Sequence, residues 1–456
     1  MSEDATFKPL HPLIPAQRAA VQPEENIWLS ASAGTGKTQV LTARVIRLLL
    51  EENVEPENLL CITFTKAGAA EMAERINQRL ASWVQLEDTA LFRDMEAIGA
   101  KSGPEYRQRA SELFAKVLDA PGGGLQILTI HSFCQSLLGS FPEEAGLVPG
   151  FKPIEGAEQQ TLLREALAAM VIAAEEAKDQ DLIRSLQKLS LAMGEEAAEK
   201  FLAKCAAVPD VMDAIPEGAG ATVWARRLAG VTFDQPLDEW IASTLSDDTI
   251  DRSALESVAS LNRDWGTATG LKRAATISEW LEADVPQRGA TLEKLHFCWW
   301  NKSKDEPQTQ TRGQVPQVDE YPELALDLAN WTKPLLDTLR RADYAERLAS
   351  ALLVAKRLGY YYTQSQNARG VIDFDDMIRR TAALLNNGRM AQWVRFKLDR
   401  QIDHILVDEA QDTNKAQWDI VSALASDFFS GFGQHSDKIR TIFSVGDFKQ
   451  AIYGFQ

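Results

Sequence analysis

The chain has 456 residues with 45% hydrophobic and 25% charged content, ordinary for a folded protein but too long for one core, so two or three domains are expected. No apolar run approaches the roughly 20 residues needed to span a bilayer, the N-terminus lacks the basic-then-apolar pattern of a secretory signal, and four scattered cysteines (Cys61, Cys134, Cys205, Cys298) form no CxxC pair. A reducing cytoplasm is the expected setting, without disulfides or a cysteine-held metal. The formal charge of −17 argues against a general polyanion binder, but it leaves room for a local basic strip.

In chain order, five short apolar runs carry strand character: "NIWLSA" from Asn26, "LLCITFT" from Leu59, "LQILTIHSF" from Leu125, "HILVDEAQD" from His404 and "IRTIFSVGD" from Ile439. They are near-continuous rather than alternating, as strands buried on both faces of a parallel sheet require. Each runs into small or polar residues: Ser32 and Gly34, Thr63 and Thr65, His131 and Ser132, Asp408 and Glu409, Gly446 and Asp447. In open α/β sheets, ligands sit beyond the carboxyl ends of the strands, so five such ends imply one shared site.

From about Phe151 to Val371 the pattern turns helical, with apolar residues at three and four spacings. Pro334 is expected to break a helix there or to open one. "NKSKDEPQTQTRGQVPQVDEYPE" reads as a mobile loop. The expected fold is therefore α/β: a P-loop domain on a parallel sheet, carrying a large all-helical insertion.

"ASAGTGKT", Ala31 to Thr38, lies between the first strand and a helical stretch. Glycines there let backbone N–H groups curl around a phosphate, and the following helix adds its positive end. In such a loop Lys37 reaches the β and γ phosphates of ATP and Thr38 holds Mg2+. Ala31, Ser32, Ala33, Gly34, Thr35 and Gly36 supply the cradle. Ala31 replaces the usual first glycine, which a negative φ tolerates. "ILVDEAQD", from Ile405, supplies the matching carboxylates: Asp408 to complete the Mg2+ shell, Glu409 to orient or deprotonate the attacking water.

Together these motifs resemble the superfamily 1A helicases of the UvrD/Rep group. "LIPAQRAAV" with Gln17 is similar to the adenine-reading segment, "TFTKAGAAEMAERI" from Thr63 to motif Ia, and "TIHSF" from Thr129 to a DNA-contacting motif. "DEAQD" resembles motif II, "IDFDDMI" from Ile372 the segment before it, and "VGDFKQAIYGFQ" motif III. The long insertion and the wording of motifs Ia and III look most like the AddA subunit of the AddAB helicase–nuclease.

The resemblance implies a RecA-like ATP-binding domain (1A) over residues 1–140 and 370–456, and a helical domain (1B) over 141–369. It further implies an ATP-dependent DNA helicase or translocase acting in double-strand break repair on single strands and duplex ends, with an AddB-like nuclease partner. Gln450 would sense the γ-phosphate, while Phe64, Thr65, His131, Ser132 and Tyr453 would face single-stranded DNA, where aromatic faces accept any base. Taken alone, Phe64 and Tyr453 read as core residues; motif position singles them out. The sequence stops within motif III, and reads as the first half of such a motor. Arginines from a second RecA-like domain are outside it, so ATP and Mg2+ binding with weak hydrolysis is expected. A UvrD-like repair helicase without nuclease partner, and a non-catalytic DNA- or partner-binding fragment, are the alternatives.

Three weaker signals complete the reading. "FCWWNKSK" from Phe297 mixes aromatic and basic residues in a way that could touch DNA, but its tryptophans read as buried in a helix. Arg340, Arg341, Arg347, Lys356 and Arg357 read as a solvated helix face. Asp373, Asp375 and Asp376 lack the spacing of a calcium loop and are expected to cap a helix beginning near Met377.

Overall fold

A computed structural model describes residues 9–32, 34–120, 124–308, 313–386, 388–399, 401–429, 439–447 and 449. They divide into two compact units, residues 1–161 with 365–456, and residues 162–364.

The first unit is built on five parallel strands: β1 (Ile27–Ser30), β2 (Leu59–Thr63), β3 (Gln126–Thr129), β8 (His404–Val407) and β9 (Thr441–Gly446), in the spatial order β1-β9-β8-β2-β3. Four shorter strands fall between β3 and β8 in sequence. All five runs expected from sequence are present. The two-residue pleat sorts their side chains between two cores. Leu59 and Cys61 of β2, Leu406 of β8, and Phe443 and Val445 of β9 pack with helices Lys37–Leu49, Lys66–Gln85, Asp88–Ala97 and Pro104–Leu118. Leu60 and Ile62, with Ile405 and Val407, face helices Ile130–Ser140, Phe374–Asn386 and Lys415–Phe429 on the other side. Covering both faces is why β2 and β8 are apolar at nearly every position, and every residue of both is buried. Edge strands β1 and β3 are only half covered.

Two three-residue strands, β4 (Lys152–Ile154) and β7 (Val371–Asp373), pair in parallel, with Lys152 opposite Val371 and Ile154 opposite Asp373. The chain leaves the first unit along helix Gly156–Glu176 and returns along the 49-residue helix Tyr321–Arg369. Asp373 of "IDFDDMI" caps the following helix, as the sequence suggests, but that helix starts before Met377. The first residues of the segment belong to β7 and the helix opens at Phe374, three residues earlier, with the Asp376 N–H donating to Asp373 Oδ1 at 2.8 Å.

Among its described residues the second unit is helical apart from one hairpin, β5 (Trp300–Asn301) with β6 (Glu306–Pro307). The hairpin occupies part of the segment read as a mobile loop; residues 309–312 lie outside the described set. The core here gathers Trp280, Trp299, Tyr321, Leu292, Leu328 and Leu336. Pro334 does not break the long helix. Removing one backbone bond and crowding the preceding turn costs about 3 kcal/mol. Burying Leu328, Ala329 and Leu336 on either side offsets that, at roughly 1.5–3 kcal/mol per large side chain. All four cysteines are buried and free; burial pushes the Cys61, Cys134 and Cys298 thiols up to about 12. Among the described residues no helix is long and apolar enough to cross a membrane.

Candidate functional site

The strand order brings the carboxyl ends of β1, β9 and β8 side by side. β1 is tied to β9 beyond its last residue, where the Ala31 N–H donates to Gly446 O at 3.1 Å. The loop then folds on itself, with Thr35 Oγ1 donating to Ser32 O at 2.6 Å. Gly34 (φ +77) and Gly36 (φ +86) take the left-handed backbone that a side chain would strain. Gly36 also has no room to spare, since a Cβ there would sit 3.1 Å from Gln17 Nε2. Lys37 and Thr38 open the following helix, whose first turn holds no acidic residue. A glycine-shaped loop feeding an uncompensated helix N-terminus suits an anionic group. Ala33 lies outside the described residues.

Gln17 is anchored to this loop from behind. Its Oε1 accepts from the Ile14 N–H at 3.1 Å, and its Nε2 donates to Thr35 O at 3.0 Å.

The opposing wall comes from β8. Asp408 continues the strand, donating its N–H to Ile62 O at 2.9 Å, and its Oδ1 accepts from the Glu409 N–H at 2.9 Å. Burial, then the neighbouring Glu409, pushes the Asp408 carboxyl up to about 6, with Lys37 pulling the other way. Such a carboxylate is short of positive charge, and a divalent cation suits it. Among the described residues no cluster of three or more metal-ligating side chains exists. A cation at Asp408 and Thr38 would therefore draw its remaining oxygens from phosphates and water, the habit of Mg2+.

Glu409 sits at φ +50, left-handed and rare for a side chain of this size. Its Oε2 lies 3.4 Å from Lys37 Nζ, so the two sequence motifs, 372 residues apart, meet. The same Oε2 accepts from Gln411 Nε2 at 2.6 Å, and Gln411 Oε1 accepts from the Asp447 N–H at 2.8 Å. Gln411 is not among the residues that the sequence singles out. Its signal is the amide itself, the one group in "DEAQD" that can donate and accept at once.

At the ends of β2 and β3 lie the residues expected to face a nucleic acid. Phe64 is half-buried, and Thr65 is exposed and caps helix Lys66–Gln85 by accepting from the Gly68 N–H at 2.9 Å. His131 and Ser132 stand in the first turn of helix Ile130–Ser140, which Thr129 caps by accepting from the Ser132 N–H. The His131 ring packs on Phe374 with centroids 4.8 Å apart, and burial lowers its pKa, favouring the neutral ring. Phe374 is a second residue the sequence does not flag, because the carboxylates of "IDFDDMI" overshadow it. Those are structural, since Asp373 accepts from Gln366 Nε2 at 2.9 Å and Asp376 is paired with Arg379 and Arg380. Gln450 and Tyr453 lie outside the described residues.

In the second unit Trp299 is fully buried and Trp300 belongs to the β5–β6 hairpin, so "FCWW" is not the buried helix expected; the preceding helix ends at His296. Of the basic residues on the long helix, Arg340 pairs with Glu293, Arg347 with Asp343, and Lys356 donates to Ile215 O.

The model of the UvrD/REP helicase N-terminal domain matches residues 13–456. The A-subunit of the ATP-dependent helicase/nuclease of Lactobacillus gasseri is 26% identical over 95% of this chain and 35% of its own length. The protein of the same name from Acetivibrio thermocellus is 26% identical over 95% of this chain and 34% of its own. The one from Latilactobacillus sakei is 27% identical over 97% and 49%. The chain thus spans about a third to a half of the length of the curated relatives it matches. A match running through the phosphate loop, both Asp408 and Glu409, and the return into β9 shows that the chain belongs to the UvrD/REP helicase N-terminal domain family.

Proposed function

We propose that the chain is the ATP-binding part of a DNA helicase or translocase motor of the AddA type, working in the cytoplasm on double-strand break repair with an AddB-like nuclease partner. In this reading the first unit is the RecA-like domain 1A and the second is domain 1B. The observation that carries it is the meeting of Lys37 with Glu409 at 3.4 Å, beside the half-buried Asp408.

Each residue then has a task. The cradle from Ala31 to Gly36 and the helix N-terminus bind the phosphates of ATP. Lys37 leaves Glu409 for the β and γ phosphates. Thr38 and Asp408 would hold Mg2+, which when bound neutralises charge on the phosphate oxygens. Glu409, freed of the lysine, orients and deprotonates the attacking water. Gln17, fastened to Thr35, sets the distance between the loop and the base of the nucleotide. The packed pair His131–Phe374, together with Phe64, offers the aromatic surface on which bases of a single strand stack, independent of sequence.

The test is binding of a fluorescent ATP analogue, with turnover measured with and without single-stranded DNA. Lys37→Ala is expected to weaken binding about tenfold or more, the worth of a charge-assisted contact. Glu409→Gln is expected to bind as before and lose turnover. Binding indifferent to Lys37 would overturn the reading in favour of a non-catalytic DNA- or partner-binding module.

A further inference from the structure

Gln411 sits on the short turn Ala410–Asp412 and is 7% exposed. Its amide orientation is dictated by its neighbours. The Asp447 backbone N–H can only donate, so Oε1 must face it; Nε2 must then face Glu409 Oε2 at 2.6 Å and Asp412 Oδ2 at 3.4 Å. The side chain is also wedged. A Cβ on Gly446 would lie 2.8 Å from Gln411 Oε1 and 3.2 Å from Gln411 N, so β9 comes this close only because it ends in glycine.

Among the described residues Glu409 Oε2 has two partners, and they differ in kind. Lys37 Nζ, 3.4 Å away, ends a long chain whose ammonium is drawn to phosphate oxygens. Gln411 is short, buried and held at both ends of its amide. When an anion takes Lys37, Gln411 remains. Glu409 needs such a partner, because its left-handed backbone is a conformation that persists only where surrounding contacts over-determine it.

We propose that Gln411 is a positioning residue that holds the Glu409 carboxylate once Lys37 turns to phosphate, and couples that carboxylate to the end of β9 at Gly446–Asp447. This rests on the hydrolytic reading above. Movement of the β9 end reaches Glu409 through one rigid amide, so the state of that strand end sets whether water is activated.

Steady-state ATP hydrolysis saturated with single-stranded DNA, beside analogue affinity, tests it with four variants. Gln411→Leu removes both bonds. The near-isosteric Gln411→Met keeps the side chain's length and volume but, with no amide, loses both bonds, and Gly446→Ala pushes on an unaltered Gln411. All three are expected to lower kcat about ten- to a hundredfold, the value of a hydrogen bond to a charged group, with KM and analogue affinity within about threefold. Lys37→Ala, by contrast, loses affinity. Wild-type kcat in Gln411→Met would mean that the residue only fills space, and parallel losses of affinity and kcat would mean local unfolding; either overturns the proposal while leaving the hydrolytic reading intact. Analogue binding that does not depend on Lys37 would overturn both.

Discussion

At the scale of single residues, the site is a balance of one cation against two carboxylates. Lys37 is shared out to Glu409, which leaves half-buried Asp408 beside another negative charge. Its pKa near 6 stands above the usual 3.8, so the folded state binds a proton more tightly than the unfolded chain. Ionised Asp408 therefore costs stability above pH 6, and the cost fades as pH falls through 6. In nucleotide- and magnesium-free protein, Asp408→Asn, which keeps the acceptor for the Glu409 N–H, is expected to stabilise by about 2 kcal/mol at pH 8. The gain should shrink toward zero near pH 4, read from denaturation midpoints across pH. An equal or lower midpoint at pH 8 would show that the fold bears the charge without cost. The residue types of this cluster are legible in "GTGKT" and "DEAQD"; the role of Gln411 is not, because its meaning lies in Asp447, 36 residues on.

At the scale of elements, what is legible follows from burial. Central strands covered on both faces must be largely apolar, as β2, β8 and β9 are; β1 and β3 stand out of the sequence as apolar runs too, although at the sheet edges they are only half covered. β4 and β7 do not, since three residues carry no periodicity and their pairing spans more than two hundred residues. The long helix through Pro334 departs from expectation for the converse reason, a local rule overruled by packing. One buried side chain ties several elements together. Arg44, on the helix after the phosphate loop, donates to Pro23 O, Glu25 O and Thr441 Oγ1, and burial lowers its pKa to about 10. It fixes that helix to the approach of β1 and the start of β9. Arg44→Ala is expected to destabilise the first unit by about 3 kcal/mol, leaving buried carbonyls unpaired. Chemical denaturation measures this, and a loss under about 1 kcal/mol would assign the anchoring to the flanking core.

At the scale of the whole molecule, the site belongs to the first unit alone, although its halves lie on either side of the second in sequence. A bound nucleotide should accordingly slow amide hydrogen exchange at Ser30–Thr38 and Asp408–Asp412. Helices Gln180–Met193 and Ala219–Leu228 of the second unit should exchange as before. Protection confined to the second unit would place the nucleotide elsewhere. The glycine-rich loop, the acidic strand end and the parallel sheet can be read from the residues alone, because a left-handed glycine turn and burial on both faces each restrict residue type locally. That Lys37 rests on Glu409, that Gln411 spans two strand ends and that His131 lies on Phe374 is visible in the three-dimensional packing alone. Those contacts join residues far apart in the chain, and parallel strand order, set by packing of the whole sheet, is what brings them within reach.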